Sequence, residues 1–159
     1  MNIRWHKTMR CTRFPYSLLL SVVSMFLFSC KPASEPIYYG EEKCAFCTMT
    51  IMDPRYGSEI VTNKGKVIKF DAMECMIHYI RSGRVQEQNI SLMLTNSYDR
   101  PGELIDARSC FYLQSHNLPS PMGMNLSAFS DSTAAARNRI ENPGVLFRYS
   151  ELNGLISMR

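Results

Sequence analysis

The chain has 159 residues and a formal net charge of +4 at pH 7. The excess positive charge lies in residues 1–29, which hold four of the 18 Lys and Arg residues and none of the 14 Asp and Glu residues. Residues 30–159 are therefore formally neutral, which excludes a generally basic protein that binds nucleic acid or an anionic lipid surface. Their length suits one domain with a sizeable core.

The N-terminus has the pattern of an export signal. A basic stretch, residues 1–13, precedes the apolar run "FPYSLLLSVVSMFLFS", which is short for a membrane span. The run ends in "LFSC", which resembles a lipobox and predicts Cys30 as the lipidated first residue of the mature protein. The alternative is an uncleaved N-terminal anchor. Both predict a membrane-anchored protein of the cell envelope that faces the periplasm, with the inner or outer membrane undecided.

The next segments predict a tether and then the first half of a domain. Residues 30–40 include two prolines and are expected to be a lipid-anchored tether, so that the domain spans residues 41–159. The stretch "EIVTNKGKVIKF" has the turn residues of a hairpin. Asp71, with Glu74 three residues later, predicts a capping box. The helix that follows carries an apolar stripe that includes Met73 and Met76, which are expected in the core.

The second half repeats this order faintly. "ISLMLTN" and "ELIDARSCFYLQS" predict further strands, residues 116–125 predict a loop, and "SDSTAAARNRIENPG" predicts a short helix capped by Ser130 or Asp131. "VLFRYSEL" predicts a last strand. Both "KFDAMECMIHYI" and "AFSDSTAAARNRI" run from a phenylalanine through a polar cap into a helix. The expected fold is α+β, with two ββα-type halves and a mainly antiparallel sheet.

The segment "EEKCAFCTMTIMD" concentrates sulfur, with Cys44, Cys47, Met49 and Met52 within nine positions. The remaining cysteines allow disulfides in an oxidising compartment. A redox CxxC requires a helix at the first thiolate, which the threonines and Pro54 disfavour. A zinc site normally adds a second close cysteine pair, and Cys75 and Cys110 are isolated in sequence. Thiolate and thioether groups together favour a soft ion such as Cu(I).

Spacing predicts which sulfurs share a face. In an extended "CTM", Cys47 and Met49 point to the same side, and Met52 points away and is expected to pack. The loop "HNLPSPMGMN" adds Met122 and Met124, where no helix or strand pattern requires them. His116 begins this loop and is a further candidate ligand.

These motifs, together with "DARSCFY" and "PMGMNLSAFSDSTAAARN", resemble the NosL family of nitrous oxide reductase accessory proteins. The resemblance implies a fold similar to that of organomercurial lyase domains. It also implies an extracytoplasmic lipoprotein that binds Cu(I) and passes it to the proteins that mature nitrous oxide reductase, which include a periplasmic partner and an ABC transporter. Carried over residue by residue, Cys47 and Met49 match the family's C-x-M, and Met122 matches its M-G methionine. Cys44 is an additional candidate, and Met124 is only a neighbour.

The expected function is therefore copper carriage without catalysis, by a monomer or weak dimer that binds no nucleic acid. Two alternatives remain at this level. One is an envelope thiol redox protein that uses the CxxC pair. The other is an organomercurial lyase-like thiol enzyme, which requires two thiolates and a carboxylic acid at one site.

Overall fold

The computed structural model describes residues 31–157, which contain two antiparallel sheets and three α-helices. The strands are β1 (Ser58–Thr62), β2 (Val67–Phe70), β3 (Ile90–Ser97), β4 (Arg100–Asp106), β5 (Phe111–Gln114), β6 (Leu126–Phe129) and β7 (Val145–Arg148). The helices are α1 (Met73–Arg81), α2 (Ser132–Glu141) and α3 (Tyr149–Ser157). The α+β class and the antiparallel pairing are confirmed.

The two sheets share one connection pattern. Their strand orders are β2-β1-β3-β4 and β6-β5-β7, so the first strand of each half lies between the second and the third. A helix follows the second strand in each half, α1 after β2 and α2 after β6. The hairpin register pairs Ile60 with Ile68 in one half and Tyr112 with Ala128 in the other. The two predicted ββα-type halves are therefore present, and the first is extended by two further strands and the second by one.

Helix α1 forms as predicted but without its capping box. The residue before the helix is Ala72, which makes no side-chain cap, and Asp71 is buried one position earlier. The carboxylate of Glu74 turns instead to the loop before β6, where the Ser120 hydroxyl donates to it at 2.6 Å. Helix α2 has the expected cap, because the Asp131 side chain accepts the Ala134 N–H at 2.8 Å.

The predicted last strand is wrong beyond Arg148. Strand β7 ends there and α3 begins at Tyr149. The Glu151 carboxylate accepts the Arg148 N–H at 2.6 Å, which supports the start of the helix. Leu152 is fully buried in the main core. Burial of this side chain outweighs the local strand pattern that "VLFRYSEL" suggests.

The main core fills the space between the first sheet, α1 and α3, and it extends to β5 and β6. Tyr112 and Phe70 are its largest fully buried members, and Met76 is fully buried as predicted. Met73 is also buried, as predicted. A smaller cluster around Leu113 and Phe129 lies under α2. Helix α1 thus has its apolar side fixed in the main core, which sets the position of every other residue along it.

The segment predicted as a tether packs against the domain from Glu35 onward. Ile37 is buried in the main core, and the Lys69 ammonium donates to the Pro36 carbonyl at 2.7 Å. The Glu35 N–H donates to the carboxylate of Glu59 at 3.2 Å. The folded unit therefore begins several residues before the predicted boundary at residue 41. Residues 1–29 and Cys30 lie outside the described residues.

Glu59 is fully buried on β1, and burial raises its pKa from an ordinary 4.5 to about 7. Lys69 lowers this pKa by its charge, whereas Glu35 and Glu42 raise it. A raised carboxyl pKa means that the native state holds more protons than the unfolded state, so stability falls as the pH rises from about 4.5 to about 7.

We expect Glu59→Gln to flatten the slope of the free energy of unfolding against pH, measured by urea unfolding across that range. The exposed Glu103→Gln should keep the wild-type slope, and a slope that is unchanged in Glu59→Gln would contradict the prediction.

The helices within residues 31–157 are all either too short or too polar to span a bilayer.

Candidate metal centre

Residues 43–50 form a closed turn that carries two of the cysteines. Lys43 and Thr50 pair as an antiparallel bridge. Inside the bridge, the Cys44 N–H donates to the Met49 carbonyl at 2.8 Å, and the Thr48 N–H donates to the Cys44 carbonyl at 3.0 Å. Thr48 adopts a left-handed conformation with φ of 66°. The expected extended "CTM" is therefore wrong, because the chain reverses at Thr48, and the shared-face argument for Cys47 and Met49 no longer holds.

The turn brings Cys44 and Cys47 to Cys75 on α1. The three Sγ atoms all lie within 4.8 Å of one another. Cys44 and Cys75 are buried, and Cys47 is half-buried. A metal ion bonded to three sulfurs at about 2.3 Å in a plane separates them by about 4 Å. This cluster therefore has the donor type and nearly the spacing of a three-thiolate site for a soft ion.

Contacts from three sides fix the turn. The Ala45 N–H donates to the Lys69 carbonyl on β2 at 3.0 Å. The Phe46 ring stacks on His78 of α1, with centroids 5.4 Å apart and planes 10° from parallel. The Arg84 guanidinium donates to the Ala45 carbonyl at 3.2 Å. The loop that carries Cys44 and Cys47 is thus anchored to the same helix that presents Cys75.

The three cysteines of the cluster differ in pKa. A hydrogen bond from Cys75 is the largest influence on Cys44, and with backbone hydrogen bonds it outweighs burial and lowers the pKa of Cys44 to about 5. The same hydrogen bond and burial raise the pKa of Cys75. Burial also raises the pKa of Cys47. At neutral pH the metal-free cluster therefore holds one thiolate, at Cys44, and two thiols. A bound cation must displace the remaining protons.

We expect Cys75→Ala to raise the pKa of Cys44 from about 5 toward its ordinary value of 9.0, because the thiolate loses its main hydrogen-bond donor. Thiolate absorbance of the reduced, metal-free protein, followed against pH, measures this change. Cys110→Ala is the matched control. Its thiol donates to the Asp106 carbonyl, and burial raises its pKa to about 12, so the low-pH step should stay. A step near pH 5 that survives in Cys75→Ala would contradict the assignment.

Met49 and Met52, the two methionines of the segment "EEKCAFCTMTIMD", are exposed. Met49, within the turn, is 56% exposed, and Met52, after it, is 65% exposed. The prediction that Met52 packs is wrong, because Ile51 takes the buried position instead. Met49 therefore lies on the surface next to the cysteine cluster, where its thioether is accessible to solvent and to other molecules.

The loop of residues 116–125, which carries Met122 and Met124, is held against α1. The Ser120–Glu74 hydrogen bond joins the loop to the helix position that adjoins Cys75. Met122 is half-buried and packs against the same core as Cys47. Met124 is buried in that core, which explains its apolar side chain without a metal. His116 is exposed, with a ring nitrogen 3.4 Å from the Asn125 amide.

Sequence reasoning missed Cys75. Within residues 31–157, the three cysteines form the one cluster of His, Cys, Asp or Glu ligand atoms that is close enough to hold an ion, and His116 is not part of it. The four cysteines in this range are free thiols, so the expected alternative of a disulfide is not present there. A signal for Cys75 did exist, since it adjoins the apolar stripe of a predicted helix that directly follows the hairpin beside the sulfur-rich segment.

A comparison with protein-family models matches residues 38–155 to the NosL family. The chain belongs to the NosL family. Among solved structures, the NosL copper chaperone from Shewanella denitrificans is similar, with a TM-score of 0.64 and 18% sequence identity over 76% of this chain and 95% of that chain. At this identity the likeness shows the fold, which this chain shares with that NosL protein. A comparison with curated protein sequences found no match.

Proposed function

We propose that this NosL protein is a Cu(I) metallochaperone of the cell envelope and that Cys44, Cys47 and Cys75 hold the ion. The observation that carries the proposal is the convergence of three Sγ atoms within 4.8 Å on a fold that a copper chaperone shares. Thiolates are soft ligands that favour Cu(I) over harder divalent cations, and Cu(I) accepts low coordination numbers. The role is carriage, and no catalytic step is assigned.

The burial of the ligands supports holding and release by the same site. Cys44 and Cys75 lie inside the domain, where they shield the ion from water, whereas Cys47 is half-buried. Met49 is exposed within the turn, two residues after Cys47, so an acceptor reaches the ion from this side. A thiolate or imidazole of the acceptor then replaces Cys47, and each bond that forms compensates for one that breaks. Met49 and Met122 are proposed as temporary thioether ligands during this exchange.

The destination of the copper is the finer part of the proposal. The ion is passed to the maturation proteins of nitrous oxide reductase, a periplasmic partner and an ABC transporter. Lipid on Cys30 holds the domain at the membrane surface where these partners act. Met124 and His116 stay predictions as ligands, and the packing of Met124 in the core supports a structural role for it.

Copper content of nitrous oxide reductase tests delivery. The enzyme is purified from host cells that carry the wild-type chain, Cys47→Ser or Cys110→Ala. We expect copper-depleted enzyme with Cys47→Ser and full loading with Cys110→Ala, at equal amounts of chaperone by immunoblot. Full loading with Cys47→Ser, or with the gene deleted, would contradict delivery. Chelator competition on the purified protein is the separate test of binding itself.

A further inference from the structure

A cavity outside the metal centre is lined in part by Arg84, which also donates to the cysteine turn at the Ala45 carbonyl. It has a volume of about 460 Å³ and opens between the β1–β2 hairpin and the segment after α1. Its lining includes three cations and three side-chain amides: Lys64, Lys66, Arg84, Asn63, Gln86 and Asn89. The lining contains no carboxylate. Residues 30–159 are neutral as a whole, but positive charge is concentrated around this cavity.

The cations of this cavity lack acidic partners within the described part of the chain. Elsewhere in the domain, Arg55, Lys69 and Arg100 each form an ion pair with a carboxylate. No such pair is formed by Lys64, Lys66 or Arg84 among residues 31–157. Three like charges around one concavity repel one another, and an anion that enters it relieves this repulsion.

Arg84 connects the cavity to the metal centre. Its guanidinium lies over the rings of Phe46, at 5.5 Å, and Tyr79, at 5.6 Å, while it donates to the Ala45 carbonyl. Ala45 and Phe46 are the two residues between Cys44 and Cys47. An anion that pairs with Arg84 competes with the Ala45 carbonyl for the same N–H groups, so occupancy of the cavity acts on the loop that holds two copper ligands.

We propose that this cavity docks a carboxylate-rich segment of the protein that exchanges copper with this chain, and that docking loosens the Cys44–Cys47 turn through Arg84. Charge complementarity selects such a segment, and the amides of the lining supply further donors to its carboxylates. The docked segment then contacts Arg84, which in turn contacts the loop between Cys44 and Cys47. This inference rests on the proposed function only for the identity of the partner, because the anion site is defined by its own residues.

Binding of a fluorescein-labelled tetraglutamate peptide to the reduced, copper-free protein tests the site. We expect Lys64→Ala/Lys66→Ala to bind the peptide about tenfold more weakly than wild type, and the wild-type affinity to fall with added salt. The matched control, Arg137→Gln/Arg139→Gln, removes the same charge from exposed positions on α2 and should bind like wild type. Equal weakening in both variants, or none in the first, would overturn the proposal. So would selective loss of binding to phosphatidylglycerol vesicles without any peptide effect, since it would assign the cavity to a membrane.

The rate of copper transfer to a chelator tests the link to the metal centre. We expect tetraglutamate, at a concentration that fills wild type but not Lys64→Ala/Lys66→Ala, to accelerate transfer severalfold in wild type and in the Arg137→Gln/Arg139→Gln control and much less in Lys64→Ala/Lys66→Ala. Peptide binding without any acceleration would overturn the coupling through Arg84. A protein that binds the peptide but no Cu(I) would instead overturn the proposed function, so the two failures are distinguishable.

Discussion

Cys75→Ala is expected to weaken Cu(I) binding by at least about 100-fold, because removal of a group that only supports a ligand already costs 10-fold to 100-fold in affinity. Cys47→Ser and Cys44→Ser should have effects of the same order. The reason is that a hydroxyl is a poor ligand for a soft ion and alanine provides no ligand. Competition between the reduced protein and a Cu(I) chelator measures the change.

Two sets of controls separate the cysteine cluster from the ligands expected from sequence. Cys110→Ala removes a buried thiol outside the cluster and should leave the affinity at the wild-type value. Met49→Leu and Met122→Leu keep apolar volume but remove the thioether, and we expect them to slow transfer more than they weaken binding. Wild-type affinity in Cys75→Ala together with a large loss in Met49→Leu and Met122→Leu would restore the ligand set of Cys47, Met49 and Met122.

Phe70→Ala is expected to destabilise the domain by about 3–5 kcal/mol, since truncation of a buried phenylalanine leaves a cavity that the core does not close. Phe70 is fully buried at the end of β2 and packs edge-on against Tyr79, with ring centroids 5.2 Å apart. It therefore joins the strand that anchors the cysteine turn to the helix that carries Cys75. Urea unfolding of the copper-free protein gives the free energy of unfolding.

Phe70→Leu is the matched variant, because it retains most of the apolar contact and should cost much less. We also expect Phe70→Ala to lower the copper affinity, whereas a truncation at Phe129 under α2 should lower stability with less effect on copper. A loss of stability below about 1 kcal/mol for Phe70→Ala would show that this position is not packed as described.

The elements that sequence predicted are those determined by local pattern. The β1–β2 hairpin follows from its turn residues, and α1 follows from an apolar stripe that includes Met73 and Met76, both of which are buried. The loop of residues 116–125 and the cap at Asp131 were predicted for the same reason. The resemblance of the two halves was readable only as a weak repeat, and the matching order of the first three strands in the two sheets confirms it.

The parts that sequence did not predict depend on contacts between distant residues. Thr48 adopts a left-handed conformation that β-branched residues rarely take, and the bridge between Lys43 and Thr50 stabilises it. Glu74 does not form the predicted capping box, because its carboxylate accepts a hydrogen bond from the Ser120 hydroxyl instead. These same contacts assemble the candidate site, so the sulfur-rich segment and the family resemblance identified Cys44 and Cys47 but Cys75 was missed.

The second half of the domain contributes to the site through one loop. The Ser120–Glu74 hydrogen bond is buried, and burial raises the pKa of Glu74. The loop that carries Met122 is therefore fixed to α1 one residue from Cys75. This contact supports the proposed part of Met122 in copper exchange.

X-ray absorption at the copper edge of the Cu(I)-loaded protein is the most direct measurement of the ligand set. Three cysteine ligands predict a first shell of sulfur alone, and Cys75→Ala should lose one sulfur from it while Cys110→Ala does not. A first shell of nitrogen and oxygen, or an unchanged sulfur shell in Cys75→Ala, would contradict a copper site at Cys44, Cys47 and Cys75.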